Sequence, residues 1–465
     1  MTNPFEFEEY SLTYDDKPHE ECGIIGIYHV KDAAQHASLG LHALQHRGQE
    51  SAGIVSADQG VLHIHRGMGL VSSVFGKGEG KNMPGNSAIG HVRYSTAGGS
   101  TIANAQPLMG YYSEGQVALA HNGNLYHGPM LRDRLIHSGA LLQTTSDSEF
   151  FLHLLAQKQA RTDEEIASVF EQAEAAFSVV LLFPNKMVAA RDPWGYRPLV
   201  LGRMGDGFVV ASETCAFDQI GATFEREVEP GEMITFTAGG YRSTYFGDRT
   251  VRQQRCLLEL IYFSRPDSNV FGHTPHVFRR QTGHVLAKEK PADVDIVVAI
   301  PDSGLSAAMG YAEELGIMVD RGLIRNHYIG RSFIAPGQGA RVAAVRMKHN
   351  VVKDVVKGKR VCLVDDSLIR GTTTAALGKE LRDAGATEVH LRIACPPVKF
   401  PCHFGVDFPH YEELLAYQHT VEEIRSILNM DSLGYLSLEG MRSCLGEEAL
   451  QYCTGCWSGE YLNTK

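Results

Sequence analysis

Residues 361–373, VCLVDDSLIRGTT, restrict the possible folds of this chain more than any other stretch. The unbroken apolar run at its start is the pattern of a strand buried on both faces, and such strands belong to parallel sheets covered by helices. The run delivers two adjacent acids, Asp365 and Asp366, and passes through Ser367, Arg370, Gly371, Thr372 and Thr373 into the helical pattern TTAALGKELRDAG. DIVVAIPDSG followed by SAAMGYAEELG repeats this order of strand, loop and helix, and TEVHLRIACPP supplies a further strand. Beyond FGDRTVRQQR the chain is therefore expected to form an α/β unit on a parallel sheet, with ligands at the carboxyl ends of its strands.

Small residues and hydroxyls between a buried strand and a helix turn successive N–H groups toward one point, with the helix dipole behind them, which makes a nest for a phosphate. Two carboxylates beside that nest suit the hydroxyls of a ribose. No G-K-[ST] is present, so this is not a Walker loop. The loop IPDSG brings Asp302, Ser303 and Gly304 to the end of another such strand, and GRSFIAPGQGARVAAVRMKHN (330–350) is too polar and glycine-rich for core.

The front half has a different texture. ECGIIGIYHV, VALAHNGNL, FSVVLLF, MVAARD and GFVVASET are short and rich in β-branched residues, with PNK suggesting a hairpin between two of them. EFFLHLLAQKQ and EEIASVFEQAEAAF are patterned as helices, so sheet layers covered by helices are expected. Cys22 stands near the front, behind an acidic leader (1–21) with no hydrophobic block. Either it is a buried small residue, the commonest fate of a free thiol, or the leader is removed and Cys22 becomes the first residue.

With 465 residues the chain is long enough for about two or three domains. A net charge of -11 and the lack of a long Lys/Arg run argue against nucleic acid as the main partner. No apolar stretch approaches the roughly 18 residues of a membrane span, and the leader resembles neither a signal nor a transit peptide, so a cytoplasmic protein is expected. Nine cysteines in such a chain do not look like a disulfide framework.

The 361–373 segment resembles the fingerprint of the type I phosphoribosyltransferases. The resemblance implies that Asp365 and Asp366 hold the ribose hydroxyls of phosphoribosyl pyrophosphate and that Ser367 to Thr373, with Arg370, Gly371 and Thr372 between them, hold its 5′-phosphate. Asp302, Ser303 and Gly304 would meet the pyrophosphate, Ser303, Asp365 and Asp366 would place a magnesium ion, and 330–350 would be a lid with contacts from Arg331, Arg346 and Lys348. LHALQHRGQESAG, GHVRYSTAG, AHNGNL and TSDSEFF resemble the glutamine amidotransferase domain of the N-terminal nucleophile class. There the cysteine must come first, because its own α-amine serves as the base the thiol lacks. By that resemblance Cys22 attacks the glutamine amide and Asn122 with the N–H of Gly123 forms the oxyanion hole. Arg93 pairs with the substrate α-carboxylate, Asp147 accepts from its α-amine, and Arg47 organises the site.

The two halves together resemble the family of glutamine phosphoribosylpyrophosphate amidotransferases. The fold implied is two-domain α/β: a leader (1–21), a four-layer αββα glutaminase domain (22–255), a phosphoribosyltransferase domain on a parallel sheet (256–410) and a helical C-terminal segment (411–465). Glutamine and phosphoribosyl pyrophosphate would be the substrates, purine nucleotides the feedback inhibitors, and a homotetramer the assembly. A sugar-phosphate or aspartate amidating enzyme would share the front domain, but R-G-Q and the DD…RGTT loop count against both. A phosphoribosyl-pyrophosphate-binding regulator would be expected to lack Cys22 or Asn122.

One branch of the family carries a four-iron, four-sulfide cluster together with a cleaved leader. RCLLELIYFSRPDS, PPVKFPCHFGVD and QYCTGCWSGEY supply Cys256, Cys402, Cys453 and Cys456 as its implied ligands. Zinc in the same four thiolates is the alternative, and Cys395 could replace Cys402. Cys215, Cys362 and Cys444 are expected to be core or incidental.

Overall fold

The protein was analysed as a computed structural model that describes residues 22–76, 82–94, 99–126, 128–173, 175–326, 349–406 and 411–461. Arg331, Arg346, Lys348 and the leader fall outside them. Two compact units emerge: one from the described parts of 19–279, 400–409 and 442–465, the other from those of 280–399 and 410–441. This partition differs from the boundaries expected at residues 256 and 411. Residues 256–279, 400–406 and 442–461 join the front unit, where Cys256, Glu259, Phe404, Cys456 and Trp457 are buried.

Thirteen strands build the first unit's two antiparallel sheets: β1 Gly23–Tyr28, β2 Ser51–Asp58, β3 Val61–Met68, β4 Ser87–Arg93, β5 Leu108–Tyr112, β6 Gly115–Leu125, β7 Ala175–Leu182, β8 Met187–Arg191, β9 Val200–Met204, β10 Gly207–Ala211, β11 Thr223–Glu227, β12 Glu232–Thr237 and β13 Gly240–Tyr245. One sheet runs β11-β9-β10-β1-β4-β2-β3 and the other β13-β12-β8-β7-β6-β5. Strand alternation sorts their side chains into layers. Ile24 and Tyr28 of β1 meet Ala118, Ala120, Val180 and Leu182 between the sheets. Ile25 and Ile27 face the helix Ala33–Ala43 instead. On the far side, Val117, Leu119, Phe177, Val179 and Leu181 pack against the helices Glu149–Lys158 and Asp163–Glu171. The result is the expected four-layer αββα arrangement, and the PNK turn joins β7 to β8 with Leu182 opposite Met187.

Sequence patterning overextends one helix. EEIASVFEQAEAAF is helical only to Glu171, and Ala175–Phe177 open β7. The alanines fit either conformation, so the β-branched and aromatic residues that follow decide the outcome.

In the second unit, β15 (Ile296–Ala299), β18 (Arg360–Asp365), β19 (Glu388–Ile393) and β20 (Ser432–Tyr435) form a parallel sheet in that order. The pair β16 (Leu323–Arg325) and β17 (His349–Val351) flanks 327–348. After residue 411 the chain is helical over Leu415–Gln418, Val421–Ile427 and Leu438–Ser443, and it also contributes β20. The strands β14 (Arg255–Cys256) and β21 (Tyr452–Cys453) pair in parallel in the first unit.

The helix Leu305–Leu315, which follows β15, touches the helix Pro275–Glu289 backbone to backbone. A Cβ on Gly310 would stand 1.9 Å from the Arg280 carbonyl oxygen, and one on Gly283 would stand 2.0 Å from that of Ala307. Overpacking a contact of this kind costs about 1–3 kcal/mol. Gly310→Ala is therefore expected to lower the thermal midpoint of unfolding, whereas Gly110→Ala, with nothing within 4 Å of the new methyl, leaves it in place. Calorimetry on the two variants side by side checks this.

Candidate functional site

Cys22 immediately precedes β1, and alternation turns its side chain to the same inter-sheet layer as Ile24. It is buried, with Sγ donating to the Tyr94 carbonyl at 3.3 Å. A small pocket opens beside it, lined by Cys22, Arg93, Tyr94, Gln106, His121, Gly123, Ser146, Asp147 and Ser148. Four of the residues singled out in the sequence, Cys22, Arg93, Gly123 and Asp147, thus meet in one place. Asn122 lies on β6 beside Gly123 and faces the inter-sheet layer, as Ala118 and Ala120 do. Its carboxamide is buried, and neither its nitrogen nor its oxygen has a hydrogen-bond partner among the described residues. An unpaired amide of this kind costs about 1–3 kcal/mol, so a role for it is to be sought in a ligand. Gly123 has φ +146°, and a Cβ there would lie 1.9 Å from the Ala176 carbonyl oxygen, so no other residue fits.

The pocket is held by groups the sequence reading did not single out. Gln106 Oε1 accepts from the His121 N–H at 2.8 Å, and its Nε2 donates to Ser148 Oγ at 3.0 Å, a hydroxyl that also meets His121 Nδ1 at 2.9 Å. His91 Nε2 lies 3.0 Å from the His121 carbonyl, and burial pushes its pKa down to about 3, so this ring is neutral and donates there. Asp147 accepts the Leu125 N–H at 2.9 Å, and Arg93 donates to the Gly99 carbonyl at 3.2 Å.

Behind Cys22 lies a fully buried ionic group. Arg47 Nε donates to the Cys22 carbonyl at 3.2 Å, Nη1 to Glu213 at 2.6 Å, and both terminal nitrogens to Glu259 at 2.9 and 2.7 Å. Burial pushes both carboxyls up, but neighbouring charge outweighs it and both stay below the ordinary range. His46 and Arg47 act on Glu213, and Arg47 with Arg197 on Glu259. Glu259 begins one turn of π-helix, Glu259–Phe263. Its only sequence signal is an acid inside the apolar run LLELIYF, which reads equally well as a solvated helix face.

In the second unit the loop after β18 and the loop after β15 lie side by side at the carboxyl ends of adjacent strands. A Cβ on Gly304 would stand 2.5 Å from the Val364 carbonyl oxygen and 3.1 Å from Asp365 Cα, which shows how close the loops come. Asp365, Asp366 and Ser367 are buried, Ser303 Oγ donates to Asp366 at 3.3 Å, and the Ser367 hydroxyl has no partner among the described residues. Asp302, by contrast, is exposed and pairs with Arg325 at 2.8 Å. Gly371, with φ +80°, turns the chain into the twelve-residue helix Thr372–Asp383, beginning at Thr372 and Thr373, with Arg370 half-buried just before it.

Cys256 and Cys453 sit opposite each other across the β14–β21 pair. Cys402 and Cys453 pack on Tyr196 and Phe404. Cys456 feels the charge of Cys402, Cys453 and Cys256 together, so the four thiols are neighbours, and none is in a disulfide. Among the described residues no three His, Cys, Asp or Glu side chains converge as tightly as one metal ion requires. Cys395 belongs to the other unit, at the end of β19, with its thiol donating to the Pro396 carbonyl. Cys215 and Cys362 are buried, as expected of core residues, and so is Cys444.

Comparison with known proteins agrees with this geometry. The glutamine amidotransferase domain family matches residues 91–219. The chain is 46% identical over 448 residues to the amidophosphoribosyltransferase of Bacillus subtilis, covering 95% of this chain and 94% of that protein. It is 48% identical over 450 residues to the chloroplastic amidophosphoribosyltransferase of Glycine max, covering 96% of this chain and 79% of that protein. The solved B. subtilis glutamine phosphoribosylpyrophosphate amidotransferase, complexed with ADP and GMP, superposes with a TM-score of 0.90 at 45% identity, over 95% of this chain and 97% of that one.

The ionic group generates a stability prediction. Removing one partner of a buried pair costs about 3–5 kcal/mol, so Glu259→Gln, which leaves Arg47 with the Glu213 carboxylate alone and takes the Glu259 charge from Arg197, is expected to lower stability at pH 7 by that order. The sign with pH follows from the lowered carboxyl. Its contribution is complete above the ordinary value of 4.5 and is lost as pH falls through the folded pKa. Acid unfolding of the variant should accordingly be shallower than that of the parent, which a denaturant series between pH 7 and 3 checks.

Proposed function

This chain belongs to the amidophosphoribosyltransferase family, the glutamine-dependent enzymes of the first step of purine biosynthesis, and on that premise we propose which of its residues carry the two half-reactions. The observation that carries the reading is the orphaned, buried carboxamide of Asn122 on the strand that leads into the Cys22 pocket. A carboxamide left without a partner in the resting protein is one that a tetrahedral oxyanion can claim.

The leader is removed, and the new α-amine of Cys22 takes the thiol proton. Sulfur attacks the side-chain carbonyl carbon of glutamine, and Asn122 and the N–H of Gly123 receive the oxygen's charge. The carbon–nitrogen bond then breaks, with the amine proton leaving on ammonia, and water hydrolyses the thioester to glutamate. Arg93 holds the substrate α-carboxylate, Asp147 its α-amine, and Arg47 the backbone of Cys22. Ammonia attacks C1 of phosphoribosyl pyrophosphate as pyrophosphate departs, giving phosphoribosylamine.

In that half-reaction Asp365 and Asp366 hold the ribose hydroxyls, and Ser367, Arg370, Gly371, Thr372 and Thr373 hold the 5′-phosphate. Asp302, Ser303 and Gly304 meet the pyrophosphate, with Arg331, Arg346 and Lys348 closing over it. Paired carboxylates beside a phosphate site fit magnesium, which leans on one or two carboxylates and substrate phosphates and neutralises the leaving group, so Ser303, Asp365 and Asp366 would hold it.

The four neighbouring thiols fit a four-iron, four-sulfide cluster held by Cys256, Cys402, Cys453 and Cys456. Zinc in the same four thiolates is the alternative, and metal and sulfide content distinguishes the two. The cluster would give the first unit a structural or oxygen-sensing element. The relative solved with ADP and GMP supports purine nucleotides as feedback ligands. A homotetramer in the cytoplasm completes the reading; no described helix is long and apolar enough to cross a membrane.

Intact mass, N-terminal sequence, iron and sulfide from one anaerobic preparation test it. A chain that begins at Cys22 with about four irons and four sulfides agrees, and full glutamine-dependent activity in a chain that begins at Met1 sinks the nucleophile assignment. Asn122→Ala is expected to lower glutamine hydrolysis by about 10²–10³-fold without lowering the unfolding temperature, because the amide has no partner to lose among the described residues.

A further inference from the structure

Cys402 is remote in sequence from the glutaminase motifs, yet the residues that follow it lie against them. The His403 carbonyl accepts from Asn124 Nδ2 at 3.3 Å, across 279 residues of chain. Gly405 has φ +107°, and a Cβ there would stand 3.0 Å from Arg197 Nη2, 3.2 Å from the Gly123 carbonyl carbon and 3.3 Å from Asn124 Cβ. Between them the ring of Phe404 stacks on Tyr196 with centroids 4.3 Å apart and planes at 18°, and on Tyr126 at 6.0 Å and 26°.

A second connection runs through charge. The Phe404 carbonyl accepts from Arg197 Nη2, and Arg197 Nη1 lies 3.7 Å from Glu259 Oε1. Glu259 grips Arg47 with both oxygens, and Arg47 Nε holds the Cys22 carbonyl. Every charged group on this path is fully buried, so water neither screens it nor replaces a lost contact. One short stretch of chain thus bears on Gly123 directly and on Cys22 through Arg197, Glu259 and Arg47.

We propose that residues 403–405 are a positioning element of the glutaminase centre, setting the oxyanion strand at Gly123 and the backbone of Cys22 at once. The proposal rests on the assignment of Cys22 as nucleophile. Cys402 roots the element among Cys256, Cys453 and Cys456, so what those thiolates hold also fixes the root. A close-packed interior transmits a small displacement instead of absorbing it, and a misplacement of about 1 Å at a reacting centre costs up to about a hundredfold in rate.

Gly405→Ala in the processed, iron-loaded enzyme tests this, read by three quantities. These are kcat/KM for glutamine, the rate at which a chloroketone analogue of glutamine alkylates Cys22, and phosphoribosylamine synthesis from added ammonia. The first two are expected to fall together by about ten- to a hundredfold, with ammonia-dependent synthesis and iron content at parental levels. A merely structural contact would lower all activities in step with folded protein, and that outcome overturns the proposal, as does an unchanged alkylation rate. Asn124→Ala, which deletes one hydrogen bond to His403, decides the question if Gly405→Ala does not fold, with the same two quantities falling by a smaller factor or, against the proposal, not at all. Cys22→Ser separates the layers: glutamine-dependent activity that survives it removes the nucleophile assignment, whereas its loss alongside an indifferent Gly405→Ala removes only the positioning element.

Discussion

The bidentate contact between Arg47 and Glu259 holds the first unit in register. One guanidinium spans the carbonyl of Cys22, at the start of β1, and two carboxylates that arrive from distant parts of the chain. Buried ionic groups contribute little net stability, because desolvation offsets most of the attraction, but they tolerate no substitute geometry. Their contribution here is placement. A residue at the end of a strand, where the backbone would otherwise fray, is fixed by a planar, charge-assisted donor.

The two candidate sites are built on different principles. The pocket at Cys22 is assembled from side chains on several strands and loops, locked by hydrogen bonds through Gln106, His121 and Ser148. The Asp365–Thr373 loop is local: a strand, a turn and a helix in one continuous stretch. The first needs the whole unit to exist, whereas the second needs only β18, its neighbour β15 and the helix that follows.

That difference explains what could be read from the sequence. Asp365, Asp366 and the turn at Gly371 were legible because the chemistry and the chain order coincide. The αββα layers were legible because inward and outward residues alternate along β1, β6 and β7. Cys22, Arg93, Gly123 and Asp147 were legible through family motifs, since nothing in their spacing brings them together. Glu213 and Glu259 were not, because an acid facing a buried arginine and an acid facing water have the same local pattern. Nor were the unit boundaries, because a segment's packing partner is decided by its side chains and not by its position between recognisable strands. The stretch 442–461 reads as the end of a helical C-terminal segment beginning at 411 and is instead part of the first unit.

That last feature has a temporal side. The unit that opens with Cys22 is not complete until β21, with Cys453, has been synthesised to pair with β14. At about 5–20 residues per second this strand leaves the ribosome roughly 20–90 s after Cys22. The β sandwich can collapse early, but Cys256 has no Cys453 opposite it until all four strands of the parallel sheet have been made. The order of synthesis thereby finishes the first unit last, when every strand of the second unit's parallel sheet is already in hand.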